Sequence, residues 1–241
     1  MFNSSLLLLL LFSILCGGSL ASFLTAMIVR TQNHRQLCGR SRCDHCHRTI
    51  HWYDLFPLFS YLFLLGRCRS CHHTISPSSF ISEVFLSLWT VLFLYRYVMA
   101  SMPLNDCFLW GLIGIVLTLA IGYDLESQLI PDTIWLLLLI PILLAIEDPR
   151  LSHLITAVLV LVFLFIFSFF LDWGLGGADI KLFSIMSLVS SFDHLLLFFL
   201  LSSSLALLFQ LFYYAKHHTT IYQLPFIPFM AYALLLMQWI I

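Results

Sequence analysis

Long apolar runs, broken at intervals by turn-forming residues, constrain this chain more than any other feature. Leu6–Leu11 and Leu136–Ile140 lie within such runs, and the chain holds 23 Phe. Of its 241 residues 61% are apolar and only 10% charged, whereas a soluble domain carries roughly a quarter charged residues. One core of this length cannot bury so much apolar surface. The sequence therefore predicts an all-α polytopic membrane protein and excludes the secreted, disordered and fibrous classes.

A crossing helix needs about 20 apolar residues, so the chain outside the polar stretch 30–77 has room for about eight transmembrane helices. Spans are predicted near 5–29, 79–100, 106–123, 132–147, 151–171, 179–192, 194–214 and 225–241. Ser76-Pro77, Pro103 with Asn105-Asp106, Pro131-Asp132, Asp148-Pro149, Gly174–Gly177, Asp193 and Pro225 punctuate them. The expected organisation is a first transmembrane helix (1–29), a cytosolic four-cysteine loop (30–78) and a membrane domain of about seven helices (79–241). No internal repeat, low-complexity linker or second soluble domain is visible.

The net charge of −1 conceals a strong asymmetry. Seven of the eleven Lys and Arg, namely Arg30, Arg35, Arg40, Arg42, Arg48, Arg67 and Arg69, fall in the loop after the first span. The positive-inside rule puts that loop in the cytosol and the N-terminus outside. Counting alternate crossings then places Lys181 and Lys216 on the cytosolic side and Arg96 and Arg150 outside. A cleaved signal peptide is the competing reading of residues 1–29. Its basic n-region is missing, and cleavage would leave the arginine-rich loop outside.

Within the loop, Cys43-Asp44-His45-Cys46 and Cys68-Arg69-Ser70-Cys71 form two C-x2-C knuckles. This is zinc-ribbon spacing: each pair grips one side of a tetrahedron, and the metal holds a loop that has no core of its own. The intervening segment with Tyr61–Leu65 is expected as a small hairpin. Disulfides or free thiols are the alternatives, the former disfavoured in a reducing compartment. His45, His47 and His72 are possible substitute ligands, while Cys16, Cys38 and Cys107 read as ordinary small residues. Four thiolates leave no open position at the metal, so such zinc is structural and catalysis lies elsewhere.

Carboxylates near membrane helices are the natural candidates. Asp106, Glu147, Asp148 and Asp193 fall at the outer face, where cap and turn roles suffice. Glu83, Asp124, Glu126, Asp132, Asp172 and Asp179 fall on the cytosolic side. Asp124 follows Ile121-Gly122-Tyr123, and Asp179 follows Gly174-Leu175-Gly176-Gly177-Ala178. Small residues beside a carboxylate admit a neighbouring backbone or substrate strand. Two such carboxylates brought together share a proton, so that one acts as base toward water. Alternatively, Asp179 caps its helix and Asp124 meets interfacial water or Lys181. Asp132 is either a helix cap or, with Asp44, Asp54, Glu83 and Glu126, an attraction for a basic peptide.

These segments together resemble the type IV prepilin peptidases, membrane aspartyl proteases that also process competence and secretion pseudopilins. The resemblance runs almost the full chain. It comprises Gly18–Leu24 with Arg30, both knuckles, Asp54–Tyr61 followed by Gly66–Arg69, and Asp124-Leu125-Glu126-Ser127-Gln128-Leu129-Ile130-Pro131-Asp132. The Gly176–Leu182 segment and Leu224–Phe229 complete it.

The resemblance implies that Asp124 and Asp179 are the catalytic pair of a Gly-x-Gly-Asp protease. It would cut a prepilin or pseudopilin leader just after a glycine on the cytosolic side of a bacterial inner membrane. Many members also N-methylate the new N-terminus with S-adenosylmethionine, for which Glu83 is the candidate here. Two positions depart from the family pattern. Ala178 stands where glycine usually precedes the second aspartate, and Ser78-Ser79-Phe80 stands where Arg-Tyr-Pro is common ahead of Glu83. The expected partners are the pilin precursor and the lipid bilayer, with no nucleic acid. A secondary transporter and a non-enzymatic pilus assembly factor are the alternatives from other classes; the former would favour midplane sites and paired repeats.

Overall fold

The computed structural model describes residues 4–33, 36, 39–99, 102–145, 151–171, 176–221 and 223–240. They form α1 (Ser4–Gln32), a 3-10 helix (Trp52–Leu55), α2 (Phe59–Phe63), α3 (Ser78–Met99), α4 (Leu104–Glu126) and α5 (Asp132–Ala145). Then follow α6 (Leu151–Leu171), α7 (Gly177–Met186), α8 (Phe192–His217) and α9 (Ile227–Ile240). The all-helical expectation is met, and every predicted span has a helix at its position. The expected breaks at Asp148-Pro149 and Gly174 lie outside the described residues, as do Glu147, Arg150, Asp172, Arg35 and Cys38.

Among the described residues four helices are long and apolar enough to cross a membrane alone: Leu7–Gln32, Ser78–Met99, Leu104–Glu126 and Phe192–His217. Shorter apolar helices run over Asp132–Leu144, Leu154–Phe170 and Ile227–Trp239. The span predicted at 179–192 is corrected. There α7 has ten residues and ends at Met186, with Ser187 as its C-cap, giving a length of about 15 Å against a hydrocarbon core of about 30 Å. Apolar composition alone does not reveal such a stop, because Val189 and its neighbours read as a continued span.

The chain divides into two compact units, Met1–Glu126 and Ser127–Ile241. In the first, α1 packs on α3 and α4, and α3 packs on α4. Small residues set the approach. A Cβ added at Gly17 would stand 2.6 Å from Thr90 Oγ1 and 2.8 Å from the Leu86 carbonyl oxygen, and one at Gly122 would stand 2.6 Å from Ile28 Cδ1. Close backbone contact of this kind is how membrane helices gain packing energy without a hydrophobic drive between them. Hydroxyls add cross-links: Ser87 donates to the Ile14 carbonyl and Thr90 to that of Ser13, both at 3.0 Å. Trp89 is buried with Phe85, Phe93 and Trp110 around it, and its indole N–H donates to the Trp110 carbonyl at 2.9 Å.

In the second unit, α7 packs on α6 and α5, and α8 packs on α9. Phe183 of α7 meets Phe198 at 4.9 Å and Phe199 at 5.7 Å on α8. Leu207, Leu208, Leu211 and Phe212 of α8 remain exposed, a surface that lipid tails accept and water would not.

The loop between α1 and α3 corrects two expectations. Its middle is helical, at Trp52–Leu55 and Phe59–Phe63, rather than a hairpin. The chain also holds an internal repeat, because the two knuckles are one unit used twice. In each, the second cysteine is followed by a left-handed histidine, His47 (φ 57°) and His72 (φ 56°). Those histidine amides donate to the Cys43 and Cys68 carbonyls, both at 2.9 Å, and the amides of Cys43 and Cys68 donate to the Arg48 and His73 carbonyls. Bridges Arg42–Thr49 and Arg67–Thr74 close the two turns. The repeat is written in Arg-Cys-x-x-Cys-His-x-Thr-Ile at 42–50 and 67–75, too short to stand out without the shared turn geometry.

Candidate active site and metal centre

The duplicated turns bring Cys43, Cys46, Cys68 and Cys71 together, with all four sulfurs within 4.8 Å of one another. Cys43 Sγ and Cys71 Sγ are 3.8 Å apart. A tetrahedron with metal–sulfur bonds of about 2.3 Å has edges of about 3.8 Å, and a disulfide requires about 2.05 Å. The four cysteines are free thiols, so the cluster fits a single tetrahedral ion. The Cys71 and Ser70 amides pull the Cys68 thiol down to about 7. At Cys71 the His73 amide also pulls down, but lost solvation and the neighbouring sulfurs of Cys68, Cys46 and Cys43 together push it up to about 11. Crowded thiols of this kind ionise together when a cation supplies the opposing charge. Among the described residues no histidine belongs to the cluster; His45 instead stacks on His73 at 4.4 Å.

A cleft of about 900 Å³ opens in the first unit between α1, the cysteine loop and the start of α3. Four carboxylates line it, Asp44, Asp54, Glu83 and Glu126, the last two on α3 and α4. Glu83 is buried, and both its oxygens are engaged: Oε2 accepts the Leu58 amide at 2.8 Å and Oε1 the Ser79 hydroxyl at 2.9 Å. Glu126 accepts from the hydroxyls of Ser76 (3.1 Å) and Ser78. Thr25 of α1 donates to Ser79 at 3.3 Å, and Tyr61 stacks on Phe80 at 4.8 Å. The three residues that depart from Arg-Tyr-Pro thus each have a partner in this cleft. Sequence reading missed Thr25, Ser76, Ser78 and Ser79 as lining groups; the one local signal was Ser79 four residues before Glu83, a helical neighbour pair.

The two singled-out aspartates are carried by different units. Asp124 sits in the last turn of α4 and is 7% exposed. Asp179 is the third residue of α7, half-buried, and its amide donates to the Gly176 carbonyl at 3.0 Å. The Asp179 carboxylate folds back over Gly176, where an added Cβ would stand 3.0 Å from Oδ2. A side chain at 176 would therefore press on this carboxylate, which would have to give by a few tenths of an ångström. At the amide end of α7 the helix dipole favours negative charge. Lys181 pairs with Asp132, tying the start of α7 to the start of α5.

Two family models match the chain. The bacterial peptidase A24 N-terminal domain covers residues 15–97, and the type IV leader peptidase family covers residues 111–211. A prepilin leader peptidase/N-methyltransferase of Vibrio cholerae serotype O1 is 30% identical over 177 residues, 70% of this chain and 68% of its own. A Bacillus subtilis protein of the same description is 30% identical over 179 residues, 72% of this chain and 70% of its own. No solved structure matches.

Proposed function

The chain belongs to the type IV prepilin peptidase family, and from that membership we propose that it is a membrane aspartyl endopeptidase which removes the leader from prepilins or pseudopilins at the cytosolic face. One observation carries this reading. Asp124 with Ile130-Pro131-Asp132, and Asp179 behind Gly176-Gly177-Ala178, both fall within the stretch 111–211 that matches the type IV leader peptidase family.

In this mechanism Asp124 and Asp179 are the catalytic pair and act without a covalent intermediate. One removes a proton from water as the water attacks the scissile carbonyl; the other donates a hydrogen bond to the developing oxyanion, and proton transfer releases the amine. The placement of Asp179 at the amide end of α7 supports it as the base. Cys43, Cys46, Cys68 and Cys71 would hold a zinc ion that cross-links the two knuckles, a structural role apart from hydrolysis.

The same protein N-methylates the new N-terminus in this reading, with S-adenosylmethionine as methyl donor. The cleft of the first unit is the site that suits it, since Glu83 and Glu126 stand together on the wall away from the loop arginines Arg40 and Arg42 and offer carboxylates to a sulfonium or an ammonium. The protein is placed in the bacterial inner membrane with its N-terminus outside, loop 30–78 in the cytosol and the remaining helices, 79–241, as the peptidase domain. Mass spectrometry of a candidate pilin from cells with and without this protein tests cleavage and methylation together. Unprocessed pilin is expected without it, and equal processing in both strains would refute the proposal.

A further inference from the structure

The segment between the knuckles carries a row of apolar side chains for which the metal site has no use. Phe59, Leu62, Phe63 and Leu65 are 49, 58, 83 and 85% exposed, with Leu55 and Phe56 nearly half exposed beside them. Contiguous apolar surface of this kind marks a binding or membrane face.

Its depth in the fold decides which. Pro57 is buried against Gly18, where an added Cβ would stand 2.9 Å from the proline ring and 3.1 Å from Ser87 Oγ. Gly18 lies in the middle of α1, level with Ser87 of α3. The polar mouth of this helix pair lies where Thr25 meets Ser79. From Ser79 to Ser87, α3 descends about 12 Å at about 1.5 Å per residue. Pro57 therefore sits well inside the level at which α3 begins, alongside two helices long enough to cross the bilayer.

The backbone of the segment is equipped for that depth. Leu58, with left-handed φ 64° and ψ −52°, turns the chain, and its amide is taken by the buried Glu83 carboxylate. Amides of Phe59, Ser60, Leu62, Leu64, Leu65 and Gly66 donate to carbonyls of Pro57, Phe56, Leu58, Ser60, Leu62 and Tyr61. Irregular backbone at membrane depth persists only when its polar groups are satisfied within the protein. At the shallow end, Trp52 and Tyr53 supply interfacial aromatics, and Asp54 pairs with Arg69 at 2.6 Å. Arg42, Arg48 and Arg67 flank the segment, placed to meet anionic headgroups.

We propose that residues 55–65 form a re-entrant loop that enters one leaflet beside α1 and α3 and returns, seating the cysteine module on the bilayer. The occupant of its apolar face is lipid acyl chain. α1 exposes Leu20 and Phe23 at a similar depth, so the segment continues a lipid-facing surface.

The test replaces Phe63 with p-benzoylphenylalanine in the full chain, in native membranes of cells that also express a pilin precursor, with the same photoprobe at Ser70 for comparison. After irradiation, mass spectrometry identifies the adducts. Phospholipid acyl adducts at position 63, lost at position 70, are expected. Adducts at position 63 to protein alone, whether to this chain or to the pilin precursor, overturn the proposal, as do equal lipid adducts at both positions. If the Phe63 variant has lost the metal content of the unmodified protein, the same photoprobe at Leu65 gives the reading.

Discussion

Glu83 and Leu58, twenty-five residues apart in sequence, are joined by a 2.8 Å hydrogen bond in which the Leu58 amide donates to a buried carboxylate. This bond fixes the cysteine loop to α3. It also fills one of the two oxygens of the residue for which the resemblance offers a methyl-transfer role, and Ser79 fills the other. A positioning role and a substrate role at Glu83 therefore make different predictions.

Glu83→Gln keeps an acceptor for Leu58 and should leave leader cleavage near the unmodified level while lowering N-methylation. Glu83→Ala strands a buried amide, a cost of about 1–3 kcal/mol, and should lower the thermal unfolding temperature in nanodiscs. Pilin mass and unfolding curves report the two effects separately. Equal methylation by wild type and Glu83→Gln would leave Glu83 with the loop alone.

Asp124→Asn and Asp179→Asn should each abolish leader cleavage while the protein remains inserted. The amide preserves size and removes the proton-exchanging group. Cleavage of purified prepilin measures this, and full processing by either variant would remove the paired-aspartate mechanism.

Gly176→Ala should lower the cleavage rate with little change in folding, because the new Cβ would stand 3.0 Å from Asp179 Oδ2 and swing the carboxylate aside. Ala178→Gly restores the usual family residue and should be tolerated. The ratio of the two rates in the prepilin assay is the measurement.

One zinc per chain is expected in anaerobically purified protein, and Cys43→Ser with Cys71→Ser should remove it. Binding requires thiolates. Protons compete as pH falls, first at Cys71, pushed up to about 11, and then at Cys68, at about 7. Without metal Cys71 carries its proton at neutral pH, so the ion must displace it there, and occupancy should fall further as pH drops below about 7, where Cys68 also takes up a proton; metal analysis after dialysis at a series of pH values checks this.

Gly17→Ala should destabilise the first unit by about 1–3 kcal/mol, since the added methyl meets the Leu86 backbone oxygen and cannot displace it. Gly111→Ala meets nothing within 4 Å and should be neutral or stabilising by up to about 1 kcal/mol through helix propensity. Thermal unfolding of the two variants in one nanodisc preparation compares them.

Properties that depend on local pattern were open to reading from the sequence. Unbroken apolar runs at helix length specify membrane helices whatever their neighbours, and two C-x2-C pairs specify a four-sulfur site because each pair is a local chelate. The Asp124 and Asp179 segments are likewise local strings. Properties set by contacts between distant residues required the tertiary structure. The stop of α7 at Met186, the helical form of the inter-knuckle segment and its depth beside Gly18 all depend on groups brought together across many residues. So do the pairing of Ser78 with Glu126 and the capture of Leu58 by Glu83. A carboxylate reads the same in sequence whether it meets substrate or its own backbone, and only the fold decides which donor reaches it.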